Sequence, residues 1–218
     1  LVTGKDKAGD FYRKNFASMF QYCSNRMPEI TDAFYKIDDA MKAGFGWENG
    51  PFEIWDAIGI EKGIELMKAE GYQPASWVTD MLASGVNSFY SIKDGATHFY
   101  SITNKKVEKI PGQDAFIILN NIRESKKIWN NSDSIITDLG DGIINLEFTS
   151  KMNSIGAGVL QGINKAIDIA EKDYNGLVIG NQGANFSVGA NLGMIFMMAV
   201  EQEYDELNMA IKMFQDTM

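Results

Sequence analysis

The chain has 218 residues, of which 45% are hydrophobic and 22% charged, and it carries a net charge of -9. That length suits one large domain or two ordinary ones, and the composition is that of a soluble globular chain rather than a disordered one. The acidic balance repels a phosphate backbone and so argues against nucleic-acid binding, while leaving room for a local pocket that takes a phosphorylated ligand. A single cysteine, Cys23, rules out an intramolecular disulfide and reads as a small buried hydrophobe. No apolar run approaches about 18 residues and the N-terminus lacks a signal-peptide pattern, so no transmembrane segment is expected and a cytoplasmic location is.

Helical spacing begins at Asp10. Phe11, Phe16, Met19, Phe20 and Cys23 fall largely on one face, up to Pro28. A second helix is expected with Thr31 or Asp32 as N-cap and Phe34, Ile37 and Met41 inward. It ends in "AGFGWENGPFEIWD", where Gly44, Gly46 and Gly50 open backbone angles closed to other residues and Pro51 suits a first helical position. Short helices follow over 52–58, 61–70 and 76–82, so the first 85 or so residues read as all helix.

The pattern then changes. "SFYSIKDGATHFYSIT" holds two strand-like runs around Asp94-Gly95, a strong hairpin signal. "NKKVEKIPGQD" reads as a polar connection. Residues 114–134 give a mixed signal: "DAFIILNNI" fits helix or strand, and "KKIWNNSDS" resembles a linker with one anchoring aromatic. "SIITDLGDGIINLEF" reads as two strands joined at Gly140-Asp141-Gly142. A helix from about Ser154 to Lys172 follows, with Ile155, Val159, Ile163, Ala166, Ile167 and Ala170 inward and Gly156, Gly158 and Gly162 weakening its first turns. "GLVIG" reads as a buried strand, and a long apolar-striped helical stretch closes the chain. Strand, helix, strand, helix in this order predicts a right-handed βαβ crossover with a parallel strand pair. No internal repeat is present.

The loop "NFSVGANL" between that last strand and the closing helix is the candidate site. A loop entering a helix presents free backbone N–H groups with the positive end of the helix dipole behind them. Small residues there let a carbonyl or phosphate approach, so an anion or a developing oxyanion is the natural guest. A plain strand-to-helix turn that needs glycine for its geometry explains the same residues.

"GLVIGNQGANFSVGANL" resembles the enoyl-CoA hydratase (crotonase) family, in which a buried strand leads to Phe, small residues, Gly, Ala, a polar residue and Leu. "GDGIINLEFTSKMNSIGAGVLQGINKAI" is similar to that family's first strand pair and first helix, with Asn153 at its recurrent Asn. The resemblance implies that the Ala190 N–H is one of two oxyanion-hole donors to a thioester carbonyl. It also implies that Phe186, Ser187, Val188 and Gly189, with the Lys151-Met152 backbone, lie along the CoA. Position 191 is Asn where many members carry Asp. Upstream, "ITDAFYKIDDAMKAGFGWENGPFEIWDAIGI" resembles the C-terminal helical domain of 3-hydroxyacyl-CoA dehydrogenases, in the degenerate second copy found in multifunctional β-oxidation proteins.

Together these resemblances imply a mainly α first half (1–110, dehydrogenase C-terminal-like helical domain), a linker at 111–134, and an α/β second half. That second half (135–218) would be the N-terminal part of a crotonase-like domain built on a βαβ unit. They also imply a longer parent that hydrates trans-2-enoyl-CoA and oxidises 3-hydroxyacyl-CoA with NAD, the chain itself being a piece of it. NAD would bind outside these residues, since no GxGxxG strand-turn-helix occurs here. The later Gly-rich segment and catalytic glutamates of the hydratase family are likewise expected elsewhere, leaving this piece inactive alone. Its partners would be the acyl-CoA substrate and the remaining dehydrogenase and crotonase domains, with oligomeric state left open. Two other readings stand beside this one: a non-catalytic acyl-CoA-binding or assembly segment, and a crotonase-family isomerase. No metal site is expected. His98 reads as structural, Asp38-Asp39 and Glu201, Glu203, Asp205 and Glu206 as solvated helix faces, and the Met194, Met197, Met198, Met209 and Met213 stripe as core.

Overall fold

A computed structural model describes residues 1–218, which divide into two units, Leu1–Asp114 and Ala115–Met218. In the first, α1 (Lys7–Ile30) starts where the Asp6 carboxylate accepts from the Gly9 amide at 2.8 Å. The helix does not stop at Pro28 but runs through it. Proline has no N–H to give to the carbonyl four residues back, that of Ser24. The indole N–H of Trp77 donates to that carbonyl instead, at 2.9 Å. The helix therefore keeps its proline without an orphaned acceptor.

α2 (Tyr35–Phe45) is entered through Phe34 and has no side-chain cap; Thr31, expected as the cap, accepts from the Ala33 amide in the bend before it. α3 (Pro51–Ile58), α4 (Ile60–Ala69) and α5 (Ser76–Ala83) match the three short helices expected. β1 (Tyr90–Lys93) and β2 (Ala96–Ser101) form the antiparallel hairpin, with Asp94 and Gly95 at φ 53° and 73°, the left-handed pair that a two-residue turn requires. The expected polar connection after it carries a third strand, β3 (Lys106–Lys109), paired antiparallel with β2. Its "KVEK" sequence hides it, because lysines that blunt a sheet edge also erase the apolar alternation. The unit closes on aromatic rings. Phe20 stacks on Trp55 at 4.7 Å, and Phe34 packs against Phe52, Trp77, Phe89, Tyr90 and Phe99.

Asp38 contradicts the solvated-face reading. It is fully buried and its carboxylate accepts from the amides of Phe52 (2.9 Å) and Glu53 (3.1 Å) and from the Tyr90 hydroxyl (2.7 Å). α3 begins at Gly50, which has no side chain to cap its own helix, so a carboxylate from α2 does it. Gly50 is required by the approach: a Cβ there would sit 2.3 Å from that of Asp38. Asp39, by contrast, is exposed.

The second unit holds α6 (Leu119–Ile122), β4 (Lys127–Asn130), β5 (Ser134–Gly140), β6 (Ile143–Phe148), α7 (Ala157–Asp173), β7 (Gly176–Ile179), α8 (Leu192–Val200) and α9 (Tyr204–Thr217). Its sheet has the order β4-β5-β6-β7, antiparallel except for the parallel β6–β7 pair that the strand-helix-strand order predicted. The stretch 111–134, read as a linker, is largely structured: β4 pairs with β5, and Trp129 packs on the unit's core. The few apolar residues of so short an edge strand left no period to detect. α7 lies on the sheet, Val159, Leu160, Ile163 and Ala166 meeting Ile136, Ile144, Leu146 and Phe148. Ile167 points outward, and the helix glycines have a packing role: a Cβ on Gly162 would stand 2.1 Å from Ser134 Oγ.

Beyond β7 the expectations of burial fail. Val178 and Ile179 are exposed, because β7 is the edge of its sheet. The closing helical stretch breaks at Gln202 (φ 59°) into α8 and α9, neither of which buries a residue. Met194, Met197, Met209 and Met213 are exposed rather than core. Across both units about half the chain is helical, with two small sheets. No helix is long and apolar enough to cross a membrane.

Candidate functional site

The loop between β7 and α8 is held in large part by hydrogen bonds of side-chain amides and one hydroxyl. Where β7 ends, the Gly180 amide still donates to the Leu146 carbonyl of β6 at 3.1 Å, and Asn145 Nδ2 donates to the Gly180 carbonyl. The next free amide along β6, that of Phe148, donates to Asn181 Oδ1 at 2.7 Å rather than to a backbone carbonyl. Asn181 Nδ2 then donates to the Phe186 carbonyl, also at 2.7 Å. Gln182 reaches the other way, accepting from the Leu119 amide and donating to the Ile117 carbonyl.

The 3₁₀ turn Lys151–Asn153 faces the same loop. Asn153 Nδ2 donates to the Asn185 carbonyl at 3.0 Å, and the Ser187 hydroxyl donates to the Asn153 carbonyl at 2.6 Å while accepting from the Gly189 amide. The Ile155 amide donates to the Gly189 carbonyl at 2.8 Å, and Ile155 and Ala190 form a parallel β-bridge. The two segments expected to flank one ligand, 151–152 and 186–190, are therefore adjacent. Met152 and Asn153 both hold left-handed angles, φ 55° and 54°. Asparagine tolerates that region; methionine does so rarely, and such strain clusters at functional turns.

Ala190 sits at the hinge of the site. In a trans peptide the carbonyl and the N–H that follows it point in opposite directions. With the Gly189 carbonyl facing Ile155, the Ala190 N–H faces away from the bridge. α8 begins two residues later, capped by Asn191 Oδ1, which accepts from the Met194 amide at 3.2 Å. Asn and Asp cap about equally well, so Asn191 caps the helix without a charge. Gly189 is at φ +84° with open space where a Cβ would be, so its backbone angle, not crowding, demands glycine. Ala190 and the start of α7 line an apolar cavity of about 560 Å³, walled also by Ile155, Leu160, Met194, Met198 and Phe214. No Asp, Glu, His or Lys lines it. Phe186 and Val188 are exposed, with Phe186 leaning on Phe148 at 5.8 Å between ring centres.

Asn181 and Gln182 escape a motif reading because a bridging amide leaves no periodic trace. The only hint is the polar "NQ" directly after an apolar strand. The buried Glu147, held by Arg123 through two bonds of 2.8 and 3.1 Å, was likewise invisible in sequence. His98 is half-buried with Nδ1 against the Ala96 carbonyl. Glu201, Glu203, Asp205 and Glu206 are exposed. No group of three His, Cys, Asp or Glu side chains is placed to hold a metal ion.

The whole chain aligns with part of several longer proteins. It is 40% identical over 219 residues to a probable 3-hydroxyacyl-CoA dehydrogenase of Bacillus subtilis, covering all of this chain and 28% of that protein. It is 25% identical over 218 residues to putative fatty acid oxidation complex trifunctional enzymes of Rickettsia felis and Rickettsia prowazekii, again along its full length and 27% of theirs. The chain thus spans little more than a quarter of the length of these curated relatives. No protein-family model and no solved structure matches it.

Proposed function

We propose that the chain is part of a fatty-acid β-oxidation enzyme of the multifunctional kind, which hydrates trans-2-enoyl-CoA and oxidises 3-hydroxyacyl-CoA with NAD. The first half would be a helical dehydrogenase subdomain, of the C-terminal type. The second would be the N-terminal part of a crotonase-like domain. Alignment of the whole chain with one protein named a probable 3-hydroxyacyl-CoA dehydrogenase and two named putative trifunctional fatty acid oxidation enzymes supports a place in fatty-acid oxidation. The observation that carries the site assignment is the Ala190 amide, turned away from its bridge at the edge of an apolar cavity.

In this reading the Ala190 N–H donates to the thioester oxygen as it gains charge, and the positive end of α8 adds to the field there. Phe186, Ser187, Val188 and Gly189, with Lys151 and Met152, lie along the CoA, and the cavity takes the acyl chain. NAD does not fit these residues: β7 is followed by twelve residues of amide-tethered loop before a helix begins, not by a glycine-rich turn opening directly into one. Its hydride chemistry therefore belongs to other domains of the parent, in a cytoplasmic enzyme. Because the cavity walls carry no carboxylate or imidazole to move water and its proton, the 218 residues alone should show no appreciable turnover. An isomerase of the same family would share the oxyanion donor. The bare apolar surface of α8 favours, as a second reading, a segment whose main role is assembly.

The test uses the whole enzyme. Ala190→Pro removes the donor and Ala190→Ser keeps it; loss of one such donor lowers kcat by about 10²–10³. Hydratase activity should fall in the proline variant alone, with dehydrogenase activity and melting temperature retained. A folded proline variant that hydrates enoyl-CoA at the parent rate removes the oxyanion assignment.

A further inference from the structure

We propose that Asn181 is a positioning residue: its carboxamide clamps the 185–190 segment to the end of β6 and so fixes the direction of the Ala190 amide. The inference rests on the reading of Ala190 as an oxyanion donor and adds the residue that aims it.

An oxyanion donor acts through geometry. A loop free to tilt by an ångström presents its amide to solvent for much of the time, and misplacement on that scale costs up to about a hundredfold in rate. Residues 185–190 belong to no helix or strand, apart from the single bridge at Ala190, so something else must hold them. On the α7 side they are held by Asn153, Ser187 and the Ile155 amide. On the sheet side, among the bonds to residues 185–190, the one running to the end of β6 passes through Asn181.

Asparagine suits this place for a chemical reason. Its planar carboxamide presents one acceptor and two donors on opposite sides of one short arm. The acceptor takes the Phe148 amide, at 2.7 Å, and the donor meets the Phe186 carbonyl, also at 2.7 Å. Aspartate could keep the first bond but not the second. Serine is too short to span both. The Phe148 end is anchored, since Phe148 is buried in the core of the unit, whereas Phe186 is exposed and leans its ring on Phe148. The clamp thus carries rigidity from the sheet to the loop.

Asn181→Asp and Asn181→Ala separate the two arms. Both remove the donor to Phe186, and only the alanine variant also orphans the Phe148 amide. In the whole enzyme, amide hydrogen exchange at Gly189, which donates to Ser187 within this loop, should quicken about tenfold or more in both variants, with the exchange of Phe148 quickened only in the alanine variant. Hydration of a short enoyl-CoA should lose about tenfold or more in kcat in both, with KM raised less than kcat falls, since Lys151 and Met152 still hold their part of the CoA. A purely structural, strand-ending role would leave the aspartate variant like the parent in both measurements, and that result overturns the proposal. Faster exchange with unchanged kcat overturns it too, because the loop would then move without consequence. If the parent itself hydrates no enoyl-CoA, the Ala190 reading and the positioning role both fall, and the exchange data then describe only a loop fastener.

Discussion

The two units use apolar residues in opposite ways. In the first, the large side chains are spent on one closed core: Phe20, Phe34, Phe52 and Trp55 are each 0% exposed and touch one another. In the second, a smaller core sits between sheet and α7, while the residues after β7 carry comparable side chains outward. Leu192 is 76% and Phe196 65% exposed, on a helix that is apolar almost all round. A helix of that composition normally lies inside a protein. The contrast teaches that an apolar sequence states a demand for burial without saying what meets it. It also puts the candidate site at the border between the closed sheet–helix core and this open surface.

The same substitution made in both regions should break the contrast if it is wrong. Phe34→Ala, at the centre of the aromatic core, should cost about 3–5 kcal/mol. Phe196→Ala should change the stability of the 218-residue chain by no more than about 0.5 kcal/mol. Denaturant-dependent hydrogen exchange, resolved by residue, reads the two units separately. An equal cost at Phe196 would mean that α8 is covered in solution.

Next in size is Asp38→Ala, which leaves two amides and a phenol without their acceptor and should cost roughly 2–4 kcal/mol. The same carboxylate gives a pH signature. Burial outweighs the three donated hydrogen bonds and raises its pKa from 3.8 to about 6. Between those values the folded chain binds more protons than the unfolded one, so the stability owed to Asp38 falls as pH rises from about 4 to about 6 and is level above. Asp56, also raised by burial, slopes the same way. The difference in unfolding free energy between the parent and Asp38→Asn isolates the first group: it should shrink across that window. A difference that grows with pH would show the hydrogen bonds prevailing over burial.

The smallest effects come from glycines. Gly162→Ala should cost about 1–2 kcal/mol despite the better helix former, because its Cβ meets Ser134 Oγ. Gly44→Ala, in α2 with nothing within 4 Å of its Cβ, should gain about 0.5–1 kcal/mol. Melting temperatures that shift alike for the two would remove the packing argument.

What the sequence determined by itself was local. Helical spacing placed α3, α4, α5 and α7, Asp94-Gly95 placed the first hairpin, and the strand-helix-strand order foretold the parallel β6–β7 pair. These features depend on residues a few positions apart, where periodicity and turn chemistry act directly. The loop carrying Ala190 stood out in the sequence as a candidate site, through its small residues between strand and helix and its family resemblance. Its fastening was not. Only the tertiary structure decided that Asp38 caps a helix from another helix, that Trp77 takes the carbonyl freed by Pro28, and that Asn181 joins β6 to the loop. Each is a single polar group meeting a partner up to 53 residues away. A lone polar residue in a sequence looks like any surface residue until folding removes its water and supplies a partner.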